Sequence, residues 1–364
     1  MTEKDIRVTN DKIDVLVVDD SRVVRMLLVN LLESDPQIRV IAAVDSGQAA
    51  LEFLLTTKPD VVVMDIQMPR LDGFETTRRI METQPVPIVI CTATTDPKEL
   101  ATTFRALEAG AVACLGKPVS REHPEYEKLA RTLIDTVKAM SEVRLVRRWP
   151  RSRLHLLDSS NAASFHERGL SVVGIGASTG GPPVLQTILS GLPKNFAAPI
   201  LIVQHIANGF LNGLVEWLHE TTGFQVHIAA HNTVPQSGHV YFAPDDLHMG
   251  LSSSGRILLT RQARENNVRP AVSYLFRSLA DVCGANAIGV LLTGMGKDGA
   301  VELRLMKDYG AATIAQDRDT SVVHGMPGEA IQIGGATYIL PTDKIADTLV
   351  TLVSRRQGVR GGQA

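Results

Sequence analysis

Two groups of side chains in this 364-residue sequence have the types and spacing to do chemistry. The first is acidic. Val15-Leu16-Val17-Val18 runs directly into Asp19 and Asp20, and Val61-Val62-Val63-Met64 ends at Asp65. Three carboxylates gathered in one pocket repel one another, so a hard divalent cation is expected among them. Magnesium suits such an all-oxygen site with few protein ligands. Thr92 closes the apolar run Ile88-Val89-Ile90 with a hydroxyl, and Lys117, followed by Pro118, closes the run that ends at Leu115. Two carboxylates for a metal, one for attack, a cation and a hydroxyl suit phosphoryl transfer onto an aspartate. The alternative is that these aspartates cap the helices that follow them.

The second group centres on Gly174-Ile175-Gly176-Ala177-Ser178-Thr179-Gly180-Gly181, between a strand and a helix. Glycines let the chain turn sharply there and bring backbone N–H groups toward a ligand. Ser178 is then exposed at a sheet edge, as a nucleophile must be. His205 ends the run Ile200 to Val203 with Gln204, and Asp298 follows the glycine-rich turn after Leu292. A serine hydroxyl needs a base, and a neutral imidazole needs a carboxylate to fix its tautomer. The chain order Ser, His, Asp differs from the Ser, Asp, His order of α/β-hydrolases. Two alternatives stand beside this one: His205 as a packed strand-end residue, and Asp298 as a helix cap. A third is a dinucleotide loop, but Thr179 occupies a position that fingerprint needs as glycine, and the next strand ends in Gln204-His205 rather than an acid.

The elements that must position these residues come in two blocks of strand–helix alternation. In the first, strand candidates at Val15–Val18, Arg39–Val44, Val61–Met64, Ile88–Ile90 and Ala111–Leu115 alternate with helical patterns, including Gln48–Leu55 and Pro97–Ala109. Continuous apolar strands indicate a sheet buried on both faces, hence a parallel one. The second block starts at Val172. Its strands are expected at Val172–Ile175, Ile200–Val203, Val226–Ala229, Val240–Ala243, Ile257–Thr260, Ala287–Leu292, Ala312–Ala315 and Tyr338–Leu340. Helices are expected over Pro182–Leu189, Leu211–Glu220, Ala271–Val282, Gly299–Tyr309 and Asp343–Val353. Close strand spacing between Gly238 and Thr260 predicts an antiparallel excursion at one edge. Between the blocks, Arg144, Arg147, Arg148, Arg151 and Arg153 cluster where Pro150 and Ser159-Ser160-Asn161 break any helix; a solvated tether or a contact with an acidic surface would use them.

Composition narrows the class. Thirty-seven basic and 39 acidic residues give a net charge of −2, so no overall basic field draws in nucleic acid. A transcription regulator would need a basic recognition helix, and the second block offers βα alternation instead. The three cysteines, Cys91, Cys114 and Cys283, form no C-x-x-C pair. No apolar run approaches the ~18 residues that span a bilayer, and the charged start leads into no secretory segment. Membrane insertion is therefore not expected, and the location expected is the cytoplasm.

The first block resembles a two-component receiver domain over about residues 13 to 130. The resemblance rests on Val17-Val18-Asp19-Asp20-Ser21, Met64-Asp65-Ile66-Gln67-Met68-Pro69, Asp72-Gly73, Thr92-Ala93 and Lys117-Pro118. It implies that Asp65 accepts phosphate from a chemotaxis histidine kinase and that Asp20, Asp65 and the Gln67 carbonyl hold Mg2+, with Asp19 assisting through water. It also implies that Thr92 and Lys117 bind the phosphoryl oxygens and that Lys117-Pro118 is cis. Cys114 stands where receivers usually carry an aromatic.

The second block resembles the catalytic domain of chemotaxis protein-glutamate methylesterases. The carriers are Gly176-Ala177-Ser178-Thr179-Gly180-Gly181, Gln204-His205, Ala243-Pro244-Asp245, His248-Met249, Arg269-Pro270-Ala271-Val272, Leu292-Thr293-Gly294-Met295-Gly296, Asp298-Gly299-Ala300 and Gly325-Met326-Pro327. Val268 and Lys297 depart from the pattern. The implied fold is α/β with two doubly wound domains, a flavodoxin-like receiver and a Rossmann-like, mainly parallel-sheet hydrolase domain. The expected layout is 1–138 receiver, 139–167 linker and 168–358 catalytic domain. The implied activity is hydrolysis of glutamate γ-methyl esters on methyl-accepting chemoreceptors, with glutamine deamidation by the same chemistry, controlled by phosphorylation. Ser178, His205 and Asp298 would be catalytic, the amides of Thr179 and Met295 are oxyanion candidates, and no cofactor is expected in the esterase site. The rival of another class is a phosphorylation-dependent binding module on an inactive hydrolase fold.

Overall fold

A computed structural model describes residues 12–92, 104, 110–118, 126–142 and 171–358. The expected helix over 97–109, apart from Phe104, and the interdomain arginines lie outside these residues. The chain divides into two units.

The first unit is built on a five-stranded sheet, β1 (Ile13–Val18), β2 (Ile38–Val44), β3 (Val61–Met64), β4 (Ile88–Thr92) and β5 (Ala113–Gly116), in the order β2-β1-β3-β4-β5. Every neighbouring pair is parallel. Val15 to Val18, Val61 to Met64 and Ile88 to Cys91 are completely buried, as expected for strands covered on both faces. Chain order reverses between β1 and β3. Ligands of open parallel sheets bind at such a reversal, outside the carboxyl ends of the strands. Register puts Val18 opposite Met64, so Asp19 and Asp65, one residue further on, leave the sheet side by side at that point.

The second unit carries a seven-stranded sheet: β6 (Val172–Ala177), β7 (Ile200–Gln204), β8 (Gln225–Ile228), β9 (His239–Phe242), β12 (Ala287–Leu291), β13 (Ala312–Gln316) and β14 (Tyr338–Leu340), in the order β14-β13-β12-β6-β7-β9-β8. All six pairings are parallel. The predicted antiparallel excursion is therefore narrower than expected. β9 joins the parallel sheet, because the segment 229–238 is long enough to cross over at the sheet edge without a helix. β10 (His248–Leu251) and β11 (Ile257–Thr260) pair antiparallel, as a separate ribbon. The ribbon is fastened to the helix Val272–Cys283 by Leu251 N–H donating to Ser278 Oγ at 3.1 Å. Leu275, Phe276 and Leu279 of that helix, with Leu291, Leu303 and Met306, form a fully buried core cluster.

The strand–helix alternation implies helices after β3 and β5 without giving their ranges, and these are Gly73–Thr83 and Tyr126–Ser141; the helix Met326–Gln332 was not expected. Tyr126–Ser141 runs on into the first residues of the expected linker, whose first part can continue a helix. The peptide in the cis form among the described residues is Arg269-Pro270 rather than Lys117-Pro118. Lys117 reaches the acidic pocket without it, since its N–H is already fixed to Thr92 O at 2.8 Å.

Candidate active site and phospho-acceptor pocket

Chain order in the second sheet reverses between β6 and β12, and the expected catalytic residues cluster there. Ala177 lies opposite Gln204, so Ser178 and His205 are the next residues out on neighbouring strands. Backbone bonds continue past the strand ends: His205 N–H donates to Ala177 O at 2.9 Å, and Ser178 N–H donates to Thr293 O at 3.0 Å. Ser178 is thus flanked by His205 on one side and by the Thr293–Gly294 turn on the other. A Cβ built on Gly294 would lie 2.6 Å from the Ser178 Cβ, so only glycine lets that turn lie so close to the serine. Thr293 Oγ1 donates to Thr179 O at 2.9 Å and steadies the serine loop; its sequence context gave no sign of this role.

Asp298 reaches back over the edge, and its Oδ2 lies 2.9 Å from His205 Nε2. The alternative of Asp298 as a helix cap is true as well, though of a different helix from the one that follows it. Val272 N–H donates to Oδ2 at 2.6 Å and Ser273 N–H to Oδ1 at 3.1 Å, so the carboxylate sits at the N-terminus of Val272–Cys283. There the free amides and the helix dipole favour negative charge. Asn266 Nδ2 also donates to Oδ1 at 2.9 Å. Burial by itself would push the Asp298 carboxyl up. The hydrogen bond and charge of His205, with the bonds from Ser273 and Val272, outweigh it and hold the group at about 2. Asp298 is therefore an anion throughout the neutral range, aimed at one ring nitrogen.

The other ring nitrogen, Nδ1, and Ser178 Oγ make no hydrogen bond among the described residues, although the two residues adjoin across β6 and β7. Nor do the N–H groups of Thr179 and Met295 donate to any acceptor there. A hydroxyl, an imidazole held in one orientation, a buried carboxylate and two free amides at one sheet edge can perform acyl transfer. Sequence reasoning missed Asn266, whose left-handed backbone (φ +49°) carries its amide to Asp298, and gave His248 no role of its own. The buried His248 ring accepts from Ala271 N–H at 3.2 Å and bonds Ala263 O at 2.9 Å, fixing the start of the same helix.

In the first unit, Asp19, Asp20 and Asp65 bring carboxylate oxygens within 4.8 Å of one another. The capping alternative does not hold for them. Ser21 caps the helix Arg22–Leu32, and Asp72 caps Gly73–Thr83. Lys117 Nζ lies 2.7 Å from Asp19 Oδ2 and 2.6 Å from Asp65 Oδ2. Three carboxylates and one ammonium leave an excess of negative charge that a divalent cation would neutralise. Asp19 Oδ2 is buried and faces the Lys117 ammonium at 2.7 Å. The donor set fits a hard cation.

Burial raises the Asp65 carboxyl and the Asp19 charge adds to the effect, against the lowering influence of Lys117. Burial pulls Lys117 down, but Asp19 and Asp65 outweigh it and raise it. Thr92 is buried at the end of β4, opposite Gly116, one residue before Lys117. Gln67 is exposed two residues beyond Asp65. Cys114, in β5, is half-buried, and desolvation pushes its thiol up, with the neighbouring Cys91 adding to the shift.

Comparison with known proteins places each of the two units in a family. Residues 15–124 match the response regulator receiver domain, and residues 173–349 match the CheB methylesterase family. A Nitrosospira multiformis protein-glutamate methylesterase/protein-glutamine glutaminase is 51% identical over 352 residues, covering 94% of this chain and 98% of its own. A Syntrophus aciditrophicus protein of the same name is 53% identical over 345 residues, covering 93% and 98%. The crystal structure of the Thermotoga maritima CheB methylesterase catalytic domain is 42% identical, covers 50% of this chain and 98% of its own, and gives a TM-score of 0.49. With about half of all positions identical along nearly its whole length, the chain belongs to the protein-glutamate methylesterase/protein-glutamine glutaminase family.

Proposed function

We propose that this chain hydrolyses glutamate γ-methyl esters on chemoreceptors and deamidates glutamine side chains at the same site, under control of phosphorylation at Asp65. The observation that carries the reading is the 2.9 Å pair of His205 Nε2 and Asp298 Oδ2 beside Ser178, at the reversal point of the seven-stranded sheet.

Asp298 holds His205 with a proton on Nε2, which leaves Nδ1 as the basic nitrogen. Nδ1 takes the Ser178 proton as Oγ bonds to the ester carbonyl carbon, and the carbonyl oxygen becomes an oxyanion facing the Thr179 and Met295 amides. The imidazolium returns the proton to the leaving methoxide, and methanol departs. Water then adds to the acyl-serine by the same path, freeing glutamate and restoring Ser178. With a carboxamide, ammonia leaves instead of methanol.

In the receiver, Asp65 is the proposed phosphate acceptor from a histidine kinase. Asp19, Asp20, Asp65 and the Gln67 carbonyl would hold Mg2+, which neutralises charge on the phosphoryl group when bound. Lys117 and Thr92 would bind the phosphoryl oxygens. No described helix is long and apolar enough to cross a membrane, and the cytoplasm is the proposed location. The test is methanol release from methylated receptor, with and without a small-molecule phosphodonor. Ser178→Ala should abolish release, and phosphodonor should raise the wild-type rate. Undiminished release by Ser178→Ala would overturn the reading.

A further inference from the structure

Gln204 is the last residue of β7 and is almost wholly buried. Its side chain lies along the sheet edge rather than into the core. Nε2 donates to Ser178 O at 2.8 Å and to His205 O at 2.9 Å, so one amide group joins the two loops that carry the expected nucleophile and base. The orientation is fixed, because both partners are carbonyl oxygens and only the nitrogen end can donate to them. The other end is left over. Gln204 Oε1 is buried and has no donor among the described residues. It packs against Gly181, where any Cβ would collide with it, so the second glycine of the Gly180-Gly181 pair makes room for this oxygen.

A buried acceptor without a donor is uncommon in native proteins and calls for a reason. The contrast with Gln316, the equivalent strand-end glutamine on β13, supplies one. Gln316 Oε1 accepts from Thr293 N–H at 2.8 Å and its Nε2 donates to Thr320 O at 2.7 Å, so both ends are satisfied, as a purely structural amide should be. At Gln204 the acceptor end is unsatisfied while the donor end spans Ser178 and His205. Resting on the esterase reading above, we infer that Gln204 is a positioning residue. It sets the separation and direction in which Ser178 and His205 leave the sheet, and so the approach of Oγ to Nδ1.

The test uses the full-length chain and two variants. Gln204→Leu removes both donated bonds. Gln204→Glu keeps the shape but can donate only while protonated, and burial against two carbonyl oxygens raises a carboxyl's pKa. Three quantities are read: kcat and KM for methanol release, the rate at which a fluorophosphonate labels Ser178, and the thermal midpoint. Small misplacements of reacting groups cost up to about 100-fold in rate. Gln204→Leu should therefore lose kcat on that scale with KM little changed, and labelling should slow in parallel. Gln204→Glu should be more active than Gln204→Leu on the acid side and lose that advantage as pH rises, a titration that the wild type lacks.

A role in stability alone would lower the thermal midpoint and leave kcat per folded molecule and the pH profile unchanged, and that result would overturn the inference. If Gln204→Leu does not fold, the pH profile of Gln204→Glu decides. If the wild type is labelled at Ser178 yet releases no methanol, the esterase reading fails, and the labelling rates still decide the role of Gln204.

Discussion

Asp298 Oδ2 meets His205 Nε2 at 2.9 Å across 93 residues of chain while Val272 N–H donates to the same oxygen. The acid is thus locked in place by a helix it does not belong to, and the imidazole is oriented by a group that cannot swing away. Asp298→Asn replaces an acceptor with an amide whose NH2 end must face either His205 and Val272 or Asn266 and Ser273. Where the NH2 end faces His205, the wrong imidazole tautomer is favoured. In a serine triad that change costs roughly 10,000-fold in kcat, and methanol release by Asp298→Asn should fall on that scale. A loss below tenfold would remove Asp298 from the mechanism.

The same carboxylate should register in acid stability. Its folded pKa is depressed, so its contribution is present in full above the unfolded value near 4 and is lost as pH falls toward about 2. The shift corresponds to about 2 kcal/mol. In urea melts that follow the catalytic unit, wild type should exceed Asp298→Asn by that amount at pH 6. The gap should close between about pH 4 and pH 2. A gap independent of pH would show that the difference comes from packing and not from ionisation.

Much of this arrangement is legible in the sequence itself. Strands buried on both faces read as unbroken apolar runs, so Val15–Val18, Val61–Met64 and Ile200–Val203 were plain, and the reactive residues at their ends followed from the geometry of parallel sheets. The helix Gly73–Thr83 was not, because Thr76 and Thr77 make up part of its buried face and Ile80 is its only buried large apolar side chain, so its period is faint. Met326–Gln332 opens with Pro327 and Gly328, which read as loop, although proline fits a helix's first turn. Asn266 was invisible for another reason. Its contribution depends on a left-handed backbone in a loop, and no spacing in the sequence announces that.

Asn266 can be separated into backbone and side-chain effects. At φ +49° asparagine is tolerated, whereas alanine is strained by roughly 1–2 kcal/mol. Asn266→Gly and Asn266→Ala both lose the donor to Asp298 Oδ1, a bond to a charged group worth about 1.5–3 kcal/mol, and turnover should fall about tenfold or more in each. Chemical denaturation should show the alanine variant less stable than the glycine variant. Equal stability of the two variants would mean that the backbone strain does not matter, and turnover at the wild-type rate would mean that the amide does not.

Gly294 tests the closeness of the Thr293–Gly294 turn to Ser178. A methyl group there would meet the Ser178 Cβ and the Met326 sulfur. Overpacking of this kind typically costs about 1–3 kcal/mol, so Gly294→Ala should fold with a lower thermal midpoint. Because the serine side chain is one of the two groups displaced, fluorophosphonate labelling of Ser178 should slow by more than the stability loss explains. Labelling at the wild-type rate would place the turn farther from the nucleophile than the structure does.

The receiver prediction turns on charge. Asp19 and Asp65 share Lys117, while Asp20 is exposed and has no ion pair among the described residues. Asp65→Asn should abolish phosphate uptake from acetyl phosphate, measured by intact-mass gain. Asp20→Asn should leave Asp65 able to react but raise the Mg2+ concentration needed, because one of the three carboxylates is gone. Lys117→Met should leave the acidic cluster with no ammonium, strengthening divalent-cation binding while slowing transfer, since the positive charge that would meet the phosphoryl oxygens is lost. Uptake by Asp65→Asn equal to the wild type would move the acceptor to another residue, and a Mg2+ requirement unaltered by Asp20→Asn would remove that carboxylate from the cation site.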